Sequence, residues 1–318
     1  MSVMTPDQPE RSRDLGILAL ALLGPIWGYG WVATKVALGY SDALTFAALR
    51  VPFSAACLFL VMLVLRRPLR PPPLGWTLVI ALFQTTLFIG LVITALHDAG
   101  AGKVSVLTYT MPFWLLLLAR VFLGERLRGL QWAAVALALA GLVLVVRPWA
   151  LGSATAGILA LLGGVSWAVA ALLVKLMQRR HTVDVLSLTT WQMTLGSVPL
   201  IVAAVLTYSG GPDWTFSFWW GLIYTIVVAN SLAWFLWLYA LHTLPAGVAG
   251  LGTLAIPVVG VVAAWIQLHE VPPPVEGLGM ALIISALGVL AGYGIVTARR
   301  EPPAVAGAEE PDLRPVTD

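Results

Sequence analysis

The side chains able to do chemistry in this sequence are ones that bind, and none is arranged to break bonds. Pro112 has no N–H, so the carbonyl of Thr108, four residues earlier, loses its helical partner; Pro257 does the same to Thr253. Each Thr then offers a hydroxyl and a freed carbonyl at one point of an apolar helix, groups suited to an ammonium or an amide. The competing reading is a plain helix kink whose defect the Thr closes internally. Asn230, Trp234 and Trp237 recur at i, i+4 and i+7 and so share one helical face. An amide is costly in an apolar helix unless bonded, which turns this face towards the protein interior. Gln84 and Thr85 place an amide and a hydroxyl in another such helix, with Phe88 close by, and Trp27, Tyr29, Tyr109 and Trp167 complete an aromatic lining. Against this stands the habit of Trp and Tyr to anchor at membrane interfaces, the role expected of Trp214, Trp219 and Trp220. An aromatic pocket with a few amides suits a hydrophobic side chain carried on a zwitterionic head better than a sugar or a nucleotide.

The charged groups are few. Lys35 and Arg50 either form part of an outer gate and attract a carboxylate, or snorkel to the interface along their own stems. Glu125 and Glu270 stand at helix ends, as solvated caps or as gate partners. His97 and His242 end two apolar spans, where capping is the commoner role, although imidazole titrates near neutral pH. No Asp or Glu lies near the middle of any span, which disfavours direct proton or sodium coupling. Neither a GxxxxGK[ST] loop nor an HExxH pair is present, so no cofactor or metal is expected. Cys57 stands alone, so it can form no intrachain disulfide. His97 beside Asp98 is the nearest thing to a catalytic pair, and with no further partner visible an enzyme acting on a lipid is disfavoured.

The elements that must position these residues follow from composition. In 318 residues, 59% are hydrophobic and only 10% charged, against roughly a quarter charged in soluble domains. The charges cluster between apolar runs of about 20 residues, the length that crosses a bilayer core. The sequence predicts an all-α polytopic membrane protein with ten spans: 15–35, 43–65, 74–96, 102–123, 129–147, 155–176, 184–208, 216–241, 246–268 and 275–297. Residues 1–14 form a polar N-terminal tail, and 301–318 a Pro- and acid-rich tail expected to be disordered. With the N-terminus inside, Arg66, Arg67, Arg70, Arg126, Arg128, Lys175, Arg179 and Arg180 fall in the cytoplasm, while Lys35, Lys103 and Arg147 fall outside. That asymmetry puts both termini in the cytoplasm. The net charge of +3 is explained by membrane orientation rather than by nucleic-acid binding.

The chain also repeats itself. Sliding 95–125 over 240–270 by 145 positions matches Ala95, Leu96, His97, Gly102, Thr108, Pro112, Ala119, Leu123 and Glu125 to identical residues, and sets Thr85 on Asn230. Five spans per half make the duplication an inverted repeat, 15–147 and 155–297, with Trp27 and Lys35 echoed by Trp167 and Lys175. Small residues at helix contacts, Gly163, Gly164, Gly288 and Gly292 among them, would let the halves slide. The motifs WGYGWVATK, ALR at 48–50, and Pro followed thirteen positions later by Glu in both halves resemble the EamA family of the drug/metabolite transporter superfamily. One departure is that Arg50 has Gln192 as its nearest counterpart in the second half. Aromatic content and length further resemble the YddG-type branch. The resemblance implies a monomeric, non-enzymatic exporter of hydrophobic or aromatic amino acids in the bacterial inner membrane, working by alternating access. The alternative is a broad exporter of amphipathic drugs or metabolites, for which proton coupling stays open.

Overall fold

A run of about 20 apolar residues has one low-energy form in lipid, the helix, because every backbone polar group must be bonded within the chain. The computed structural model describes residues 7–124, 126–127, 129–147, 154–208, 210–233, 236–237, 239–240 and 255–300. Its regular elements are all helical: α1 (Asp7–Leu38), α2 (Ala43–Val64), α3 (Leu74–Asp98), α4 (Ala101–Leu123), α5 (Gly129–Val146), α6 (Ala154–Gln178), α7 (Val185–Leu206), α8 (Phe216–Leu232), α9 (Ala255–Leu268) and α10 (Pro274–Arg300). Among the described residues, eight are long and apolar enough to cross a membrane; α8 and α9 are shorter apolar helices. The expected start of the ninth span at 246 and the tail 301–318 lie outside the described residues.

Local chemistry sets the boundaries. The Asp42 carboxylate accepts from the Thr45 N–H at 2.8 Å and starts α2, and Asp184 accepts from the Ser187 N–H at 2.8 Å to start α7. Gly124, with φ of 68°, takes the left-handed turn that closes α4. Two helices depart from the α form. Within α3 a π-helical segment covers Leu82–Leu87, and within α8 another covers Tyr224–Leu232. Such segments cost hydrogen-bond geometry and recur at functional sites.

Packing is by pairs: α1 against α9 and α8, α2 against α7 and α8, α3 against α6 and α7, α4 against α6 and α9, and α5 against α10. The core they enclose includes Phe46, Leu58, Met62, Phe218 and Ile283, all fully buried. The outer faces carry Val64, Leu206 and Phe216, each at least 80% exposed, a surface suited to lipid rather than water. Small residues set the closest crossings. A Cβ on Gly141 would come within 2.6 Å of the Gly279 carbonyl, and a Cβ on Gly279 within 2.6 Å of the Gly141 carbonyl. Gly163 and Gly164 pack on α3 and α4 as expected, but Gly288 and Gly292 have nothing within 4 Å of a would-be Cβ. Among the described residues the close crossing expected there falls instead at Gly141 and Gly279.

Candidate functional site

Between α1, α3, α4 and α6 runs a chain of rings. Trp31 meets Tyr109 at 6.4 Å between centroids, Tyr109 meets Trp167 at 5.7 Å, and Trp167 meets Phe88 at 5.2 Å. The first two contacts are edge-on, the geometry favoured by the ring quadrupoles. Among the described residues, the Tyr109 hydroxyl and the indole N–H groups of Trp31 and Trp167 have no protein partner. The wall is therefore apolar with unspent donors. Trp27 lies apart: its Nε1 donates to the Ala229 carbonyl at 2.7 Å and its ring meets Trp237 at 6.1 Å.

The sequence placed Tyr29 with Trp27, but two residues along a helix turn the side chain by about 200°. Tyr29 instead donates to Gln267 Oε1 at 2.6 Å and packs edge-on to Trp220 and Tyr224. Tyr29, Val36, Phe216, Ser217, Trp220 and Gln267 line an open cavity of about 210 Å³ between α1, α8 and α9. Trp220 thus packs inside the protein, whereas Trp214 and Trp219 are about half exposed as expected of anchors.

The two π-helical segments bring the amide and hydroxyl groups into play. Thr85 is buried in the first and Asn230 in the second, and Thr85 Oγ1 and Asn230 Nδ2 both lack a partner. Gln84 is half-buried beside Thr85. A carbonyl in each segment is bonded by a helix from elsewhere in the chain: Phe83 by Ser166 Oγ of α6 at 2.7 Å, and Ala229 by Trp27 of α1.

Around Pro112, α4 does more than bend. It stops at Thr108 and restarts at Met111, so Pro112 sits in the first turn of a new segment, where a missing N–H costs nothing. Thr110 closes the break, its hydroxyl donating to the Leu107 carbonyl at 2.6 Å and accepting from Trp114 Nε1 at 3.1 Å. Thr108 is fully buried with its hydroxyl unpartnered, and its carbonyl lies where a Cβ on Gly164 would meet it at 2.9 Å. Pro257 lies buried in the first turn of α9. Trp234, Thr253 and Glu125 fall outside the described residues.

Of the four gate residues, the three that are described stand apart from one another. Lys35 Nζ donates to the carbonyls of Leu96 and His97 at 2.7 and 2.9 Å, capping the C-terminus of α3. Glu270 Oε2 accepts from the Gly102 N–H at 3.3 Å, at the N-terminus of α4. These two groups hold the α3–α4 turn from both sides, at the end of the bundle that also carries Lys103–Glu276 at 3.1 Å and Arg147–Glu276 at 3.7 Å. His97 and Asp98 meet there at 2.7 Å as an exposed pair. The opposite end holds Arg67–Asp184 at 3.4 Å. Arg50 belongs to neither end; it stands within α2, between fully buried Phe46 and Ser54. Trp31 and Ser54 were missed by sequence reasoning, although each lies one helical turn from a residue already chosen, Trp27 and Arg50.

The model of the EamA-like transporter family matches residues 14–147 and 154–292. An uncharacterized transporter of Bacillus subtilis (strain 168), YvbV, is 31% identical over 277 residues, covering 85% of this chain and 89% of its own. A protein of Escherichia coli (strain K12) named "Probable amino-acid metabolite efflux pump" is 28% identical over 290 residues, 87% of this chain and 94% of its own. The "Probable terminal-alkyne amino-acid exporter" of Streptantibioticus cattleyicolor is 30% identical over 201 residues, 63% of this chain and 65% of its own. One crystal structure superposes with a TM-score of 0.62 at 20% identity, over 92% of this chain and all of the other; at that identity the likeness is one of fold.

Proposed function

Because this chain belongs to the EamA-like transporter family, we propose that it exports neutral amino acids with hydrophobic or aromatic side chains, as the YddG-type branch does. Transport runs by alternating access, down the substrate's own gradient and without direct ion coupling. The moving parts are two inverted five-helix repeats, 15–147 and 155–297, in a monomer of the bacterial inner membrane with both termini cytoplasmic.

The repeat reading is supported by the packing. Exchanging each helix for the one five places along the chain carries α1–α9 onto α6–α4, α3–α6 onto α8–α1 and α3–α7 onto α8–α2, while α2–α7, α4–α9 and α5–α10 map onto themselves. The family match in two stretches, 14–147 and 154–292, agrees with it. The substrate class rests on one observation above the others: the Trp31–Tyr109–Trp167–Phe88 chain, an aromatic wall with unspent donors. Two relatives bear names that speak of amino-acid efflux or export.

Purified protein in liposomes preloaded with labelled phenylalanine, threonine or methionine tests the reading. Phenylalanine leaves fastest, a proton ionophore changes nothing, and Trp167→Ala slows phenylalanine more than threonine. Efflux of all three at the rate of empty vesicles removes the substrate assignment. The open cavity beside Tyr29 favours the second reading, a broad exporter of amphipathic compounds; inhibition of phenylalanine efflux by a hydrophobic cationic dye would support it.

A further inference from the structure

The interior of α2 carries a cation for which no described residue supplies an anion. Arg50 lies one turn from Phe46, Ala47 and Ser54, all fully buried, at the edge of the buried face, with Phe53 and Leu60, each about 60% exposed, on its other flank. Arg50 itself is mostly buried. None of the ion pairs among the described residues includes it, and it has no hydrogen-bond or ring partner there. The acid on its own helix, Asp42, is about 12 Å up the helix and already accepts from Thr45. A guanidinium has five donors, no acceptor, and never gives up its charge. Left uncompensated in a membrane interior it is strongly unfavourable, and such residues mark substrate pathways.

A further donor next to it is also unspent. Ser54, one turn along the same face, is fully buried with its Oγ unpartnered. From this juxtaposition we infer that Arg50, with Ser54, forms an anion site that holds the carboxylate of the transported molecule. The site rests on the proposed transport of amino acids and sharpens it: the substrate must carry a free carboxylate, and the aromatic wall reads the rest. The missing protein anion is supplied by the cargo, so the cation is neutralised only when the site is loaded.

The experiment compares wild type, Arg50→Gln, Arg50→Lys and Ser54→Ala in proteoliposomes and in detergent binding assays. The probes are phenylalanine, phenylalaninamide, which lacks the carboxylate, and 3-phenylpropionate, which lacks the ammonium. Wild type prefers phenylalanine to the amide by roughly tenfold or more, the worth of one charge-assisted bond. Arg50→Gln lowers phenylalanine to the level of the amide and leaves the amide unchanged, Arg50→Lys recovers part of the preference, and Ser54→Ala lowers it a few-fold. An Arg50→Gln protein that keeps the wild-type preference overturns the site, as does a wild type that carries phenylalanine and its amide equally; amino-acid transport would then stand without it. If wild type carries neither phenylalanine nor the amide, the transport reading fails by itself and 3-phenylpropionate binding decides the site. Binding lost in Arg50→Gln upholds it; binding absent or unchanged overturns it. Should Arg50→Gln not yield monodisperse protein, Arg50→Lys decides in its place: a reduced preference upholds the site and an intact one overturns it.

Discussion

Helices α2 and α7 are built to one plan, and two of the interior positions at which they differ separate their uses. Each spans 22 residues, begins at an Asp that caps the third residue along at 2.8 Å, and packs against the other. Eight residues after the cap, α2 has Arg50 and α7 has Gln192; twelve after, α2 has Ser54 and α7 has Gly196. Gln192 is buried, and Gly196 lets the backbone of α7 close on α3, where a Cβ would meet Thr85 at 2.5 Å and the Ala81 carbonyl at 2.8 Å. α2 thus carries a cation and a hydroxyl where α7 carries an amide and a close helix contact. On the proposed repeat the charge stands once, which puts any anion contact to one side of the proposed pseudo-two-fold axis.

The strongest way to break this comparison is to move the charge. Gln192→Arg buries a guanidinium in a site packed for an amide and should cost about 3–5 kcal/mol in a denaturation assay. Arg50→Gln should raise stability by about 2–3 kcal/mol, since it removes an uncompensated cation and breaks no bond among the described residues. Equal stabilities would mean that the two positions are alike. Next, Gly196→Ala forces α7 off α3 and should lose about 1–3 kcal/mol, seen as a lower thermal midpoint. Asp42→Ala and Asp184→Ala remove equivalent caps and should each cost about 1 kcal/mol. Ser54→Ala, which deletes an unpartnered hydroxyl, should stay within about 0.5 kcal/mol of wild type. Smallest is the difference between the two cap variants. Asp184 also meets the half-exposed Arg67 at 3.4 Å, an added few tenths of a kcal/mol that about 1 M salt should erase.

How far the sequence went depended on which force wrote each feature. Lipid imposes helix length, so span limits such as 43–65 lie close to Ala43–Val64. The π-helical segments left no trace in hydropathy, because Leu82–Leu87 and Tyr224–Leu232 each mix their few polar groups into a run that stays apolar overall. Pro112 was visible, but the break begins at Tyr109, where a hydroxyl exchange through Thr110 decides the outcome. Lys35 and Glu270 were recognisable as helix-end charges, yet which helix end each would serve depends on contacts far along the chain. Ser54 escaped since a lone hydroxyl in a greasy run usually bonds its own backbone; only the spacing from Arg50 distinguishes it.

The crossing of α5 and α10 has a consequence beyond this one chain. Gly141 and Gly279 approach so closely that each occupies the room the other's side chain would need. Neither can enlarge alone, and a retreat of one helix would be required before the other position could accept even an alanine. Among descendants of a common ancestor, these two sites should therefore mutate as a couple, both staying minimal or both changing within the same lineage. Two distant columns of the gene would then carry a shared history written by a single backbone contact.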